Sequence, residues 1–170
     1  IENELNLRNK KIFGKFDFIF NQLKRTAEYE IENNHFKFHI FDKEEEPSIN
    51  YNGVLNFKPF YASLQGDLNE INLNYLFGTN SIISQLLKTE IFNNKNIIFN
   101  LNINAENIYN NFNFKNLILN SKIQEGLIDS DNTKFEWKNF ANFELLETLI
   151  FVRNGELVLD GKLKVNINNS

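Results

Sequence analysis

A two-residue alternation of apolar and polar side chains recurs along almost the whole chain and limits what it can fold into. Over positions 157–167 the odd-numbered residues are apolar or glycine, while most even-numbered residues are polar or charged. Successive side chains of a β-strand point to opposite faces of a sheet, so this pattern predicts a strand with one apolar and one solvated face. The same alternation over Ile49–Phe57 and 99–103 predicts a mainly β protein with a long antiparallel amphipathic sheet.

Residues that favour tight turns separate the alternating segments. Asparagine and glycine tolerate the left-handed backbone angles that two-residue turns need. Three such turns are predicted, at Asn33-Asn34, Glu125-Gly126 and Asn154-Gly155. The acidic run 42–47 predicts a further turn, and a change in the parity of the apolar positions predicts a β-bulge near Asn116.

The alternation is interrupted once, at positions 73–92, where apolar residues recur at helical spacing. This spacing predicts a first helix of one or two turns that ends at Gly78. It also predicts a second helix over 82–87, with Thr79 or Asn80 as its N-cap. The sequence therefore predicts one short helical insert that lies on the sheet or closes one end of it.

Composition indicates a folded segment without disulfides. Hydrophobic residues make up 42% of the 170 positions, 18 of them Phe, and there is no Cys. We divide the chain into an amphipathic β-meander over 1–70, the helical insert over 71–92 and a β repeat over 93–170, within one continuous sheet. The absence of Met suggests a fragment of a longer protein. No apolar run approaches the ~20 residues of a spanning helix, so any membrane anchor is expected outside this segment.

The residue types that carry catalysis or metal binding occur here in unsuitable patterns. His35 and His39 lie about 13 Å apart by strand rise, too far to share a metal ion. The acidic run 42–46 lacks the calcium-loop spacing and glycine, and Asp129 and Asp131 are expected to be turn residues. A net charge of −4 with scattered basic residues argues against nucleic acid as a partner. These observations favour a protein that is not an enzyme and has no cofactor.

A sheet with one apolar face must cover that face. A second sheet could do so, or the sheet could close into a barrel, and either would suit a binding or adhesion module. The third possibility is a curled sheet that keeps an apolar groove open for lipid. Periodicity alone leaves these alternatives open.

The C-terminal part of the chain contains a series of short strand motifs, which begins with LNINAENI at 101–108 and FKNLIL at 114–119. This series resembles the AsmA-like family of bacterial envelope proteins. Residues 101–108 match the family's alternating strand that ends in Ala-x-x-Ile, and 114–119 match the strand that follows. Residues 126–128 (GLI) resemble its closing strand, and 135–137 (FEW) its short aromatic strand. The hairpin at 153–161 (RNGELVLDG) is also similar. The resemblance covers roughly positions 64–168.

This resemblance implies a bridge-like lipid-transfer protein with a taco-shaped sheet. Such a protein is anchored in the inner membrane of a diderm bacterium, crosses the periplasm and supports outer-membrane biogenesis by moving phospholipid between the membranes. Phospholipid or another acyl lipid is then the expected partner, with an outer-membrane protein as a further one. The residues expected to line the lipid groove are Phe16, Phe18, Phe36, Phe38, Tyr51, Leu55, Phe57, Leu64, Phe99, Leu101, Ile103, Leu117, Leu119, Leu157, Leu159, Leu163 and Val165.

Overall fold

The chain forms one continuous β-sheet in a computed structural model that describes residues 2–6, 11–20, 23–42, 49–78, 81–89 and 91–168. The described residues form twelve strands, two short α-helices and one 3₁₀ turn. In chain order these are β1 (Glu2–Asn6), β2 (Lys11–Phe20), β3 (Leu23–Glu32), β4 (His35–Asp42), β5 (Ile49–Phe57), β6 (Phe60–Ile71), α1 (Asn74–Phe77), α2 (Ile82–Lys88), the 3₁₀ turn Ile91–Asn93, β7 (Ile97–Ile108), β8 (Phe114–Gln124), β9 (Leu127–Asp129), β10 (Lys134–Trp137), β11 (Ala141–Arg153) and β12 (Glu156–Ile167).

Strand order follows chain order from β1 to β12, except that the short strand β9 pairs with β8 and β11 beside the main path. Every neighbouring pair is antiparallel apart from β6 and β7, which are parallel because the helical insert carries the chain back across the sheet. Strands β1 and β12 lie at opposite ends of this order, so the sheet is not a closed barrel. The prediction of a mainly β, curled sheet with one helical insert is confirmed.

Cross-strand register gives the sheet one apolar and one polar face. Residues directly opposite each other on paired strands point to the same side. One row of the apolar face crosses seven strands from β2 to β8, through Phe16, Ala27, Ile40, Tyr51, Gly66, Ile103 and Leu119. The adjacent row of paired residues points to the other side of the sheet and includes Glu28, Asn52 and Asn102. We call the side of Phe16 the apolar face and the opposite side the polar face.

The core lies on the apolar face where the insert covers it. Leu73 is the N-cap of α1 and Leu76 lies within that helix. Both pack against the cluster that contains Leu101 and Ile103. Leu87 of α2 packs with Ile123 and Ile128 in a second cluster. The insert therefore covers the apolar face over β7, β8 and β9 and leaves the first strands of the sheet without such a cover.

The three predictions of two-residue turns are confirmed, as is the predicted bulge. Asn33 occupies a two-residue turn with φ 54°, and both residues of Glu125-Gly126 and of Asn154-Gly155 have positive φ. Asn116 has φ 50°, and the pairing of β8 with β10 shifts register beside it, as expected for a bulge. Positions 43–48 of the acidic run lie outside the described residues.

Two local predictions are wrong, whereas the predicted end of α1 at Gly78 is confirmed. The N-cap of α2 is Ser81, whose side chain accepts a hydrogen bond from the Ser84 amide, and not Thr79 or Asn80, which lie outside the described residues. Gly78 is the C-cap of α1 and has an extended backbone. Asp42 belongs to β4 and is buried, although the acidic run had indicated a solvated turn.

Candidate functional site

All seventeen predicted groove residues lie on the apolar face, as the register of each pair of strands shows. They differ in accessibility. Phe16 in β2 is 37% exposed, whereas Leu101 in β7 is 2% exposed. Four of the seventeen are fully buried core residues, namely Leu101, Ile103, Leu117 and Leu119. Ala62 and Leu68 of β6 are also buried, so the open part of the apolar face lies on β2 to β5 and on β12.

Aromatic rings form a connected chain over the open part of this face. The ring centroids of Phe16 and Tyr29 are 6.4 Å apart, those of Tyr29 and Phe36 are 6.1 Å apart, and those of Phe36 and Phe38 are 5.7 Å apart. Phe18 joins the chain through Phe16 at 5.8 Å. These separations are typical of favourable ring–ring contacts. The rings are tilted against one another and all of them remain partly exposed.

Three glycines allow aromatic rings to lie down on the sheet. Gly14 is directly opposite Tyr29, and Gly53 is directly opposite Phe38. A Cβ atom added to either glycine would overlap the opposing ring. Gly66 stands in the same relation to Tyr51. With these rings flat against the neighbouring backbone, the open apolar face is broad and smooth instead of carrying side chains that stand up to meet a second sheet.

A buried ion pair marks one end of the apolar face. Arg25 of β3 and Asp42 of β4 are directly opposite, and the Arg25 Nε donates to Asp42 Oδ1 at 3.2 Å. Both side chains are buried, and Phe18 is the residue opposite Arg25 on β2. Burial raises the pKa of the Tyr51 phenol above its usual value, an effect that the charge of Arg25 opposes. A charged pair in this position fixes the register of β3 and β4, because any slip would leave a charge buried without its partner.

The sequence interpretation missed Arg25, Asp42, Tyr29 and the three glycines. The signal for the ion pair was present, since Arg25 continues the odd-numbered apolar series of β3 and Asp42 the even-numbered apolar series of β4. The glycines likewise occupy apolar positions of their strands. Recognising these residues required the register between strands, which the sequence does not contain.

Cross-strand polar contacts cover the opposite face. Asn104 donates to Asp67 at 2.8 Å across the parallel pair of strands. Glu144 contacts both Lys134 and Lys164 at 3.1 Å, and hydrogen bonds from these lysines hold the pKa of its carboxyl below the usual value. The Asn residues that alternate with apolar ones along β7 thus lie on a solvated face.

Three of the residues considered for metal binding or acid–base chemistry have structural partners. His39 Nε2 lies 2.8 Å from Asn50 Oδ1 on the polar face. Asp129 accepts a hydrogen bond from the Asp131 amide, and Asp131 accepts one from the Thr148 amide at 2.6 Å, which is the pattern of turn residues. In the described ranges no three His, Cys, Asp or Glu side chains cluster closely enough to hold a metal ion.

Comparisons with known proteins identify no relative. The chain has no significant match among protein-family models, curated proteins or solved structures. Within the part of the chain that the structure describes, no helix is both long and apolar enough to cross a membrane.

Proposed function

We propose that this chain shields acyl chains of phospholipid, or of another acyl lipid, on the open part of its apolar face. The observation that carries this proposal is the row of apolar residues that crosses seven strands while the insert covers only its C-terminal end. From β2 to β5 the open part spans four strands, or roughly 14 Å at the usual strand spacing. One acyl chain occupies about half of a ~30 Å hydrocarbon core, a length comparable to the span of the open face.

Desolvation provides the driving force for such binding. Each methylene transferred from water to an apolar surface contributes about 0.8 kcal/mol. Flat rings at Tyr29, Phe38 and Tyr51 offer broad aromatic contact area over the neighbouring backbone. A face of this kind binds lipid through buried apolar area and makes no contacts that select one head group. Such binding suits a protein that conducts lipids better than a receptor that binds one specific lipid.

The biological setting rests on the resemblance to AsmA-like proteins. In that setting the chain is one segment of a longer sheet anchored in the inner membrane of a diderm bacterium, and it carries phospholipid across the periplasm to support outer-membrane biogenesis. An outer-membrane protein would then receive the far end of the sheet. The single-sheet architecture and its open apolar face are the features of this chain that support the assignment.

A matched pair of substitutions in β2 tests the proposal. Phe16 and Phe13 belong to the same strand and are both 37% exposed, but Phe16 lies on the apolar face and Phe13 on the polar face. The purified chain is incubated with vesicles containing a phospholipid that has a fluorescent acyl chain, and bound lipid per folded molecule is measured after separation. F16D is expected to bind substantially less lipid than the wild type, whereas F13D is expected to bind a normal amount.

Equal loss of lipid in both variants, or no lipid bound by the wild type, would contradict the proposal. Circular dichroism of each variant confirms that the comparison is made between folded proteins. The two substitutions replace the same side chain at the same exposure. A difference in bound lipid between the variants therefore shows that lipid binds to the apolar face, and it cannot be explained by the loss of a phenyl ring alone.

A further inference from the structure

The polar face carries a depression over β2 to β6, which are interior strands with a neighbour on each side. One row of directly opposite residues crosses it, through Phe13, Glu30, Lys37, Val54 and Ser63. The first three side chains of this row are long and the last two are short. The difference in length contributes to a cavity of about 450 Å³, which is within the range of small-molecule sites.

Phe13 gives this depression an aromatic wall on a face that is otherwise mostly polar. It shares its side of β2 with Lys11 and Lys15, and it is 37% exposed. The His39 ring also lines the depression, and its Nε2 is held 2.8 Å from Asn50 Oδ1. Strands β2 and β4 are two strand spacings apart, or about 10 Å. The two rings therefore leave room between them for a ligand with apolar C–H surfaces, which the electron-rich face of a phenyl ring attracts.

Other side chains of the lining have hydrogen-bonding capacity that the fold does not use. Four of them make no hydrogen bond or ion pair with any residue that the structure describes, namely Lys37, Asn52, Ser63 and Gln65. Asn52 and Gln65 are directly opposite each other, so their amides lie side by side on the polar face. Each amide both donates and accepts hydrogen bonds. A matching ligand carries closely spaced groups that can also do both.

The charges around the depression balance one another. Three acidic and three basic side chains lie in or beside it, namely Glu28, Glu30, Glu32, Lys11, Lys15 and Lys37, and their formal charges sum to zero. Lys15 contacts Glu28 at 2.6 Å, and Lys11 contacts Glu30 at 3.2 Å and Glu32 at 2.8 Å. An anionic ligand would meet Glu28 and Glu30, and a cationic ligand would meet Lys37. This balance favours a neutral polar ligand.

We propose that the depression binds a short neutral oligosaccharide. The hydroxyl groups of a sugar both donate and accept, as the amides of Asn52 and Gln65 do, and its C–H face can stack on Phe13. The depression lies on the opposite side of the sheet from the surface proposed to hold acyl chains. The two sites are therefore independent, and the chain can hold a lipid on one face and a glycan on the other.

Titration calorimetry of the purified chain with cellotriose, maltotriose and tri-N-acetylchitotriose tests this proposal. At least one of these neutral probes should bind with a dissociation constant on the order of 1 mM. F13A should raise that constant roughly tenfold by removing the ring, whereas F13Y keeps a ring and should bind like the wild type. N52A should raise it about three- to tenfold through the loss of hydrogen bonds. The control N102A changes an exposed amide in the same row of the polar face, outside the depression, and should have no effect.

Two further comparisons make the test specific to this face and to a neutral ligand. F16A removes a ring of equal exposure from the apolar face and should leave sugar binding unchanged. Trigalacturonate, whose carboxylates would meet Glu28 and Glu30, should bind more weakly than the neutral probes. Circular dichroism shows that each variant is folded. No saturable binding of the three neutral probes to the folded wild type, equal losses in N52A and N102A, a loss in F13Y as large as in F13A, or tighter binding of trigalacturonate would each overturn the proposal.

Discussion

The substitution Gly53→Ala tests whether aromatic rings lie flat on the sheet. Gly53 is buried in β5 directly opposite Phe38, and an added Cβ would overlap the Phe38 ring at three of its atoms. Displacing a packed ring in this way costs about 1–3 kcal/mol. Replacing glycine returns about 0.5–1 kcal/mol, because alanine has less freedom to lose on folding. The net expectation is a loss of about 1–2 kcal/mol in the free energy of unfolding.

A double-mutant cycle separates the overlap from the other effects of the substitution. In the F38A background no ring opposes the new methyl group, so G53A should be neutral or stabilising by about 0.5 kcal/mol. The difference between the two backgrounds, about 2 kcal/mol, is the coupling energy of the pair. Urea denaturation followed by circular dichroism measures all four proteins. If G53A has the same effect in both backgrounds, the ring does not lie over the glycine and the description of the apolar face is incorrect.

Three further predictions address burial, the ion pair and pH. Leu159→Asp on the exposed edge should change the free energy of unfolding by no more than about 0.5 kcal/mol, whereas Leu101→Asp in the core should cost several kcal/mol, as measured by urea denaturation. Arg25→Met should cost about 3–5 kcal/mol by removing the guanidinium that faces buried Asp42, and the double variant R25M/D42L should recover most of that loss. Because burial raises the pKa of Tyr51, unfolded chains ionise this tyrosine at a lower pH than folded ones. Stability should therefore fall as pH rises past about 10, and a smaller fall in Y51F, measured by urea denaturation across that range, would confirm the cause.

Local patterns were sufficient to predict the strands and most of the turns. The alternation in β5 and β12 has a period of two because each strand has one apolar and one solvated face, and that requirement acts on every residue separately. Turns such as Asn154-Gly155 are likewise determined by the backbone freedom of the residues within them.

Features that depend on distant residues were not predictable in this way. The apolar run in β11 shows no alternation because a bulge at Glu147, with φ 51°, changes the parity of the strand between Leu146 and Leu149. The parallel pairing of β6 with β7 is determined by the path of the insert across the sheet. The pairing of Arg25 with Asp42 depends on the register between strands, as does the placement of rings over glycines.

Photochemical cross-linking tests the central claim most directly. A phospholipid that carries a photoactivatable group on its acyl chain is bound to the wild-type chain and irradiated, and the labelled residues are located by mass spectrometry. If the open apolar face shields acyl chains, labels should concentrate on residues such as Phe16, Phe36 and Phe57, which share that face on β2, β4 and β5. Labels on the polar face at Phe13 or Ile19, or labelling no greater than that of a protein without an apolar face, would contradict the account.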